Sequence, residues 1–181
     1  MRLLFVVILG ITFIGLSSCS GVRVRHDYDK TADFANYTTY NYPEVMTTGL
    51  SELDEKRLLS AVDSAMQAKG FKFSEEPDFL LHIYSRDYQA APRNTVGVGV
   101  GGTGRNVGGG VNVGLPIGSN KIEREISFDF VDFHNNTLFW QAVATDSFKE
   151  RSSPQQREEA FHKMVQKVFA KYPPKRAMST D

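Results

Sequence analysis

Two hydrophobic periods divide this chain. Val22-Arg23-Val24-Arg25-His26-Asp27-Tyr28 alternates apolar and polar positions, the period of a half-buried strand. Thr38 to Tyr42 suits a second strand, and Asp29 is placed to cap a short helical turn between the two. Pro43 to Gly49 reads as a loop. The period then lengthens. Ser51-Glu52-Leu53-Asp54 resembles a capping box, with Ser51 as N-cap and Asp54 expected to reach back to it. Leu58, Leu59, Val62, Ala65 and Met66 recur at helical spacing and form one apolar stripe. Gly70 is placed to end this helix in the left-handed conformation, with Phe71 packing back on it. After the turn at Ser74 to Pro77, alternation returns from Asp78 to Tyr88. Phe79, Leu81 and Ile83 would face the core, and His82, Tyr84 and Arg86 the other side.

From Thr95 to Gly118 the chain is glycine-rich and holds ten of the fifteen glycines. Val96 to Val100 and Val111 to Leu115 each alternate, so the insertion can fold back as a weak hairpin around Gly101 to Gly110. Ile126, Phe128 and Phe130 then face inward on one strand, and Leu138, Trp140, Ala142 and Ala144 on the next. Asn136 is suited to a positive φ in the turn that joins them. Ser153-Pro154-Gln155-Gln156 is a second capping box, with proline at the first helical position. Phe161, Met164, Val165, Val168 and Tyr172 make the buried stripe, glutamates lie early and lysines late, and Pro173-Pro174 stops the helix. This order of elements predicts an α+β fold: an antiparallel-rich sheet covered on one face by two amphipathic helices, a two-layer sandwich.

The first residues follow neither period. Leu3 to Leu16 is an apolar run of fourteen residues after Arg2, the length of a signal h-region and short of the ~20 that span a bilayer. It ends in Leu16-Ser17-Ser18-Cys19, which resembles a bacterial lipobox. Cys19 is the sole cysteine, so no internal disulfide can form, and its position marks it as the lipid attachment site. Residues 1–18 are then a lipoprotein signal peptide, 19–174 a single domain with the Gly-rich insertion 95–118, and 175–181 a tail expected to be disordered. Removing 18 of 181 residues leaves 163, enough for one domain with a full core. The lipobox implies an envelope location, and Ser20, in place of an aspartate that would signal retention, points by resemblance to the outer membrane; the periplasmic face is expected there rather than the cell surface.

Charge narrows the function. The chain carries 21 basic and 21 acidic residues, without the basic excess of a nucleic-acid binder. Aromatics make up 12%, too many for a disordered protein.

Several short motifs carry a family resemblance. They are Asp29…Asp33-Phe34…Tyr37…Thr39-Tyr40, Pro77-Asp78-Phe79-Leu80-Leu81, the Gly-rich centre, Phe128-Asp129-Phe130-Val131-Asp132, Thr137-Leu138-Phe139-Trp140, and a helix closing at Tyr172-Pro173-Pro174. In this order they resemble a family of bacterial lipoproteins catalogued as a domain of unknown function, number 4136. The resemblance covers nearly all of the chain after Cys19. It implies fold and location and carries no activity.

No chemical motif stands out beside it. Gly99-Val100-Gly101-Gly102-Thr103-Gly104 has the Gly-x-Gly-x-x-Gly spacing, but Asn106 to Gly110 cannot readily begin the helix a nucleotide site needs. His26, His82, His134 and His162 are scattered, without the close pairs of zinc sites. Asp129 and Asp132 fall on opposite strand faces, and Asp132 is better placed to accept backbone N–H groups in the turn. No serine sits in a Gly-x-Ser-x-Gly elbow, and Trp140 reads as core. The expectation is a non-enzymatic envelope lipoprotein without cofactor or metal. It would meet a protein, lipid or wall partner through a sheet edge or the Gly-rich segment, besides the membrane through lipid on Cys19. The alternative is an envelope hydrolase or transferase whose site is assembled from distant residues.

Overall fold

A computed structural model describes residues 21–89, 95–98, 113–116, 122–147 and 151–175. Cys19, the Gly99–Gly104 motif and the tail beyond Lys175 lie outside the described residues. In chain order the elements are β1 (Arg23–Tyr28), a 3-10 turn (Phe34–Asn36), β2 (Thr39–Asn41), α1 (Glu52–Ala68), β3 (Lys72–Phe73), β4 (Phe79–Gln89), β5 (Thr95–Val98), β6 (Val113–Pro116), β7 (Ile122–Asp132), β8 (Leu138–Ser147) and α2 (Pro154–Phe169).

Six strands form one sheet in the order β1-β8-β7-β4-β2-β3. The sheet is mixed. Four strands pair antiparallel, but β2 runs parallel to both β3 and β4. Parallel neighbours need a crossover, and α1 supplies it between β2 and β3. The two residues of β3 are too short to show a period, which is why the sequence pattern misses them. Within the Gly-rich segment β5 and β6 form a separate antiparallel pair, with Val96 opposite Leu115 and Val98 opposite Val113.

Alternation sends Phe79, Leu81, Ile83, Ile126, Phe128, Phe130, Trp140, Ala142 and Ala144 inward, and each is fully buried. They join Leu58, Val62 and Met66 of α1 and Phe161, Met164, Val165 and Val168 of α2 in one core. Ala61 and Phe169, outside the expected stripes, are buried with them. Leu138 departs from its expected inward position and is 48% exposed, whereas Phe139 is buried. The reason is a register shift: Phe130 faces Trp140 but Val131 faces Leu138, so β8 carries one extra residue. Such a bulge turns neighbouring side chains to one side. Phe139 uses it to stack on Tyr37 at a centroid distance of 3.8 Å.

Local signals place the helix ends. Ser153 and Gln156 bond reciprocally in the second capping box. At the first, Ser51 Oγ accepts from the Asp54 N–H, but the Asp54 carboxylate does not reach back; it turns to arginines. The 3-10 turn is capped by Asp33, while Asp29 accepts from Thr31 in the turn before it. Gly70 and Asn136 take the expected positive φ, 89° and 51°. No helix among the described residues is long and apolar enough to cross a membrane.

Candidate binding surface

The polar positions of the same strands build a second surface. Residues that face one another across antiparallel strands share a side of the sheet, so the register sets out rows. Arg23 and Thr145, then Glu125 and Arg86, form one row; Arg25, Val143, Ser127 and Tyr84 the next; Asp27, Gln141, Asp129 and His82 a third.

Charge on this surface is layered. Glu125 and Glu123 have side chains only 9% and 12% exposed, because the long arginines of the neighbouring strands lie over them. Arg86 donates through Nε to Glu125 at 2.7 Å, and Arg25 stands 3.7 Å from the same carboxylate. Arg23 bonds Glu123, which also accepts from the Tyr88 hydroxyl at 3.0 Å. The guanidinium side chains nevertheless remain open, at 80% for Arg25 and 76% for Arg86. Sunken carboxylates thus orient exposed cations. Tyr84 and Tyr88 flank Arg86 along β4, and both are exposed. In the third row, burial raises the Asp129 carboxyl, an effect opposed by the hydrogen bond from Gln141 and the nearby His82. The His82 ring stands 3.2 Å from the Tyr84 hydroxyl. Where β1 and β8 run out, an open groove of about 360 Å³ is lined by Asp27, Tyr28, Asp29 and the run Leu138 to Gln141.

The residues weighed from sequence separate. His26 is exposed on β1, His82 lies in the third row, His134 is in the β7–β8 turn and His162 is on α2. No group of three or more His, Cys, Asp or Glu side chains among the described residues is arranged to hold a metal ion. Asp132 accepts from the His134 and Asn135 N–H groups, as its turn position predicts, and from the Tyr37 hydroxyl. Trp140 is core, and its Nε1 has no hydrogen-bond partner. No local pattern in the sequence brings the layered arginines and glutamates together. Their period-two spacing was visible in each strand, but the pairing of strands was not.

Comparison with solved structures places the fold. It is similar to a PDZ domain protein from Parabacteroides distasonis, with 12% identity and a TM-score of 0.54 over 85% of this chain. The match spans 35% of that protein's length, and it concerns the fold alone. A PelC dodecamer from Paraburkholderia phytofirmans matches with 12% identity and a TM-score of 0.41, over 82% of this chain and 95% of that one. No curated protein matches the sequence. The sequence profile of the family described as Domain of unknown function (DUF4136) matches residues 24–174, nearly the whole of the described fold, and the chain belongs to that family.

Proposed function

We propose that this protein is a lipid-anchored protein of the bacterial cell envelope with a non-enzymatic binding role, held at the periplasmic face of the outer membrane. Cys19 carries the lipid in this reading, and 1–18 are the signal that is removed. Cys19 stands four positions before Arg23, at most about 14 Å of extended chain, so the domain is held close to the bilayer. The two helices cover one face of the sheet, and the other face meets the partner.

The observation that carries this reading is the pair of guanidinium groups on Arg25 and Arg86, both exposed above the one buried carboxylate of Glu125, with Tyr84 and Tyr88 flanking Arg86. Exposed guanidinium groups bind carboxylates bidentately, Arg86 is in addition held in place by Glu125, and tyrosines add apolar faces with a polar tip. A wall polymer bearing carboxylate peptides offers matching chemistry. The test is co-sedimentation of the full chain with purified peptidoglycan sacculi. The unsubstituted chain should pellet, and Arg86→Ala with Tyr88→Ala should weaken binding about tenfold or more, since one hydrogen bond to a charged group contributes ~1.5–3 kcal/mol. Equal pelleting of both proteins, or of neither, overturns this surface as the wall-binding site. A second reading, an envelope hydrolase or transferase, draws on Asp129, whose raised carboxyl lies in the row that holds His82. Release of soluble fragments from the same sacculi, abolished by Asp129→Asn, would decide for it.

A further inference from the structure

The two edges of the sheet are built differently. On one side β3 is two residues long, and β2 covers β4 only at Phe79 and Leu80. Beyond them the chain before α1 takes over: the Ser85 N–H donates to Thr48 O at 2.7 Å. Gly49, at φ +74°, sits so close that a Cβ there would lie 2.7 Å from Ser85 O. That edge is short and covered. The other edge is β1, which pairs over six residues with β8 without a register break, has no proline, and among the described residues has a strand on one side only. Strand edges are commonly blunted by lysine, proline or a bulge. This one carries charges of both signs instead.

Backbone direction shows which groups it offers. The Asp29 N–H reaches Phe139 O just past the end of β1. Hydrogen-bonding direction alternates along a strand, so Arg23, Arg25 and Asp27 turn their N–H and C=O to β8, and Val24, His26 and Tyr28 turn theirs outward. Of the outward N–H groups, that of Tyr28 is taken by the Asp27 carboxylate at 2.9 Å.

We propose that β1 pairs antiparallel with β1 of a second copy of this chain, with His26 on the two-fold axis. Only registers that place outward residues opposite outward residues form a ladder, and charge chooses among them. Centring on Arg25 sets Arg25 against itself; centring on Asp27 sets Asp27 against itself. Directly opposed like charges destabilise a strand pair, and opposite charges support it. Centring on His26 sets Arg25 against Asp27 and Arg23 against Asp29, each twice. On the other side of the strands, Val24 meets Tyr28. The hydrogen bonds also balance. The Tyr28 N–H passes to the C=O of Val24 in the other copy, which frees Asp27 for Arg25. Arg25 is available for that exchange, being 80% exposed and only loosely held by Glu125 at 3.7 Å. Arg86, Tyr84 and Tyr88 stay outside the pairing, and of the two guanidinium groups that carry the wall-binding reading only Arg25 is shared with it, so the crosslink reports on the strand pairing whether or not Arg86 and Tyr88 bind a wall polymer.

Cysteine crosslinking of the full chain in intact envelopes, with copper–phenanthroline as oxidant, tests the register. A hydrogen-bonded antiparallel pair has Cα atoms about 5.5 Å apart, within the ~4.4–6.8 Å of disulfides. His26→Cys should therefore give a species of twice the chain mass, beyond any background from Cys19 in the unsubstituted chain. Arg25→Cys and Asp27→Cys, each alone, should not, because in this register each is diagonal to its own copy at ~7–8 Å. The two variants expressed together should crosslink. His26 is exposed, so its replacement leaves the core intact. Absence of the dimer when a maleimide labels the new thiol overturns the proposal. So does a dimer from Arg25→Cys or Asp27→Cys alone, or a His26→Cys product of another mass, which would put a different protein on this edge.

Discussion

Asp54 holds together three segments that are far apart in sequence, and removing its carboxylate should destabilise the fold out of proportion to one surface charge. Its side chain is 4% exposed. It accepts from Arg57 at 2.8 Å and from Arg157 at 2.7 Å, and Arg124 stands 3.9 Å away. Those arginines come from α1, α2 and β7, so one carboxylate ties the starts of both helices to the sheet. Breaking a buried ion pair by deleting one partner costs about 3–5 kcal/mol. The Arg57 and Arg157 side chains are 22% and 25% exposed, so water can partly replace the lost acceptor. Arg124 keeps Asp87, 2.7 Å from its Nε. The lower end, ~3 kcal/mol, is therefore the figure for Asp54→Ala. At about 2–4 °C per kcal/mol for a chain of this size, that is a Tm lower by roughly 6–12 °C.

The control is Glu52→Ala, in the same first turn. It removes the same charge from the same helix end, but its ion pair with Lys56 is exposed, at 82% and 69%. Exposed pairs of this kind contribute ~0.3–0.5 kcal/mol. Any loss of helix-dipole interaction is common to both variants, so the difference between their melting temperatures isolates the buried network. Thermal unfolding followed by far-UV circular dichroism reads it. Equal Tm values for the two variants would refute the reasoning and reduce Asp54 to an ordinary first-turn acid.

Trp140→Ala should cost ~3–5 kcal/mol in chemical denaturation, the range for deleting a large buried aromatic; an unchanged midpoint would show that the core does not rest on this ring. Gly49→Ala should destabilise by more than Gly70→Ala, because both have positive φ but only at Gly49 would the new Cβ meet backbone, Ser85 O at 2.7 Å; equal Tm values would show that the loop yields at no cost. Stability should fall in acid. Hydrogen bonds from Thr31 hold Asp29 below its ordinary value; at Asp78 and Asp132 burial is the largest single effect and pushes upward, but the hydrogen bonds from Thr38 and Thr39, and from Tyr37 and the turn residues, together outweigh it and leave both carboxyls lowered. A lowered folded-state pKa contributes stability that is complete above the unfolded value, ~3.9, and is lost as pH falls through the folded one. Asp129, raised by burial, works in the opposite sense as pH rises past the same point. Asp78→Asn should therefore flatten the decline of Tm below about pH 4, and an unchanged slope would remove Asp78 from the account.

What the sequence shows depends on how far apart the interacting residues lie. Ser51, Gly70, Asn136 and Ser153 act within a few residues of themselves, and all four do in the structure what their local pattern predicts. Period-two alternation likewise finds the inward residues of β4 and β7. It fails at Leu138 and Phe139, because a bulge is a property of two paired strands and has no sign in either strand alone. Asp54 fails in the same way. Three residues after a serine it has the spacing of a capping box, and half of the box forms, yet an arginine 103 positions away takes its carboxylate. The outer surface combines both cases. Arg23, Arg25, Arg86, Glu123 and Glu125 are each spaced as a solvent-facing residue should be, and nothing local distinguishes them from ordinary surface charge. Pairing β4 with β7, and β8 with β1, sinks the glutamates and lifts the arginines. That layering makes the surface a candidate for binding, and it exists only once the strands are side by side.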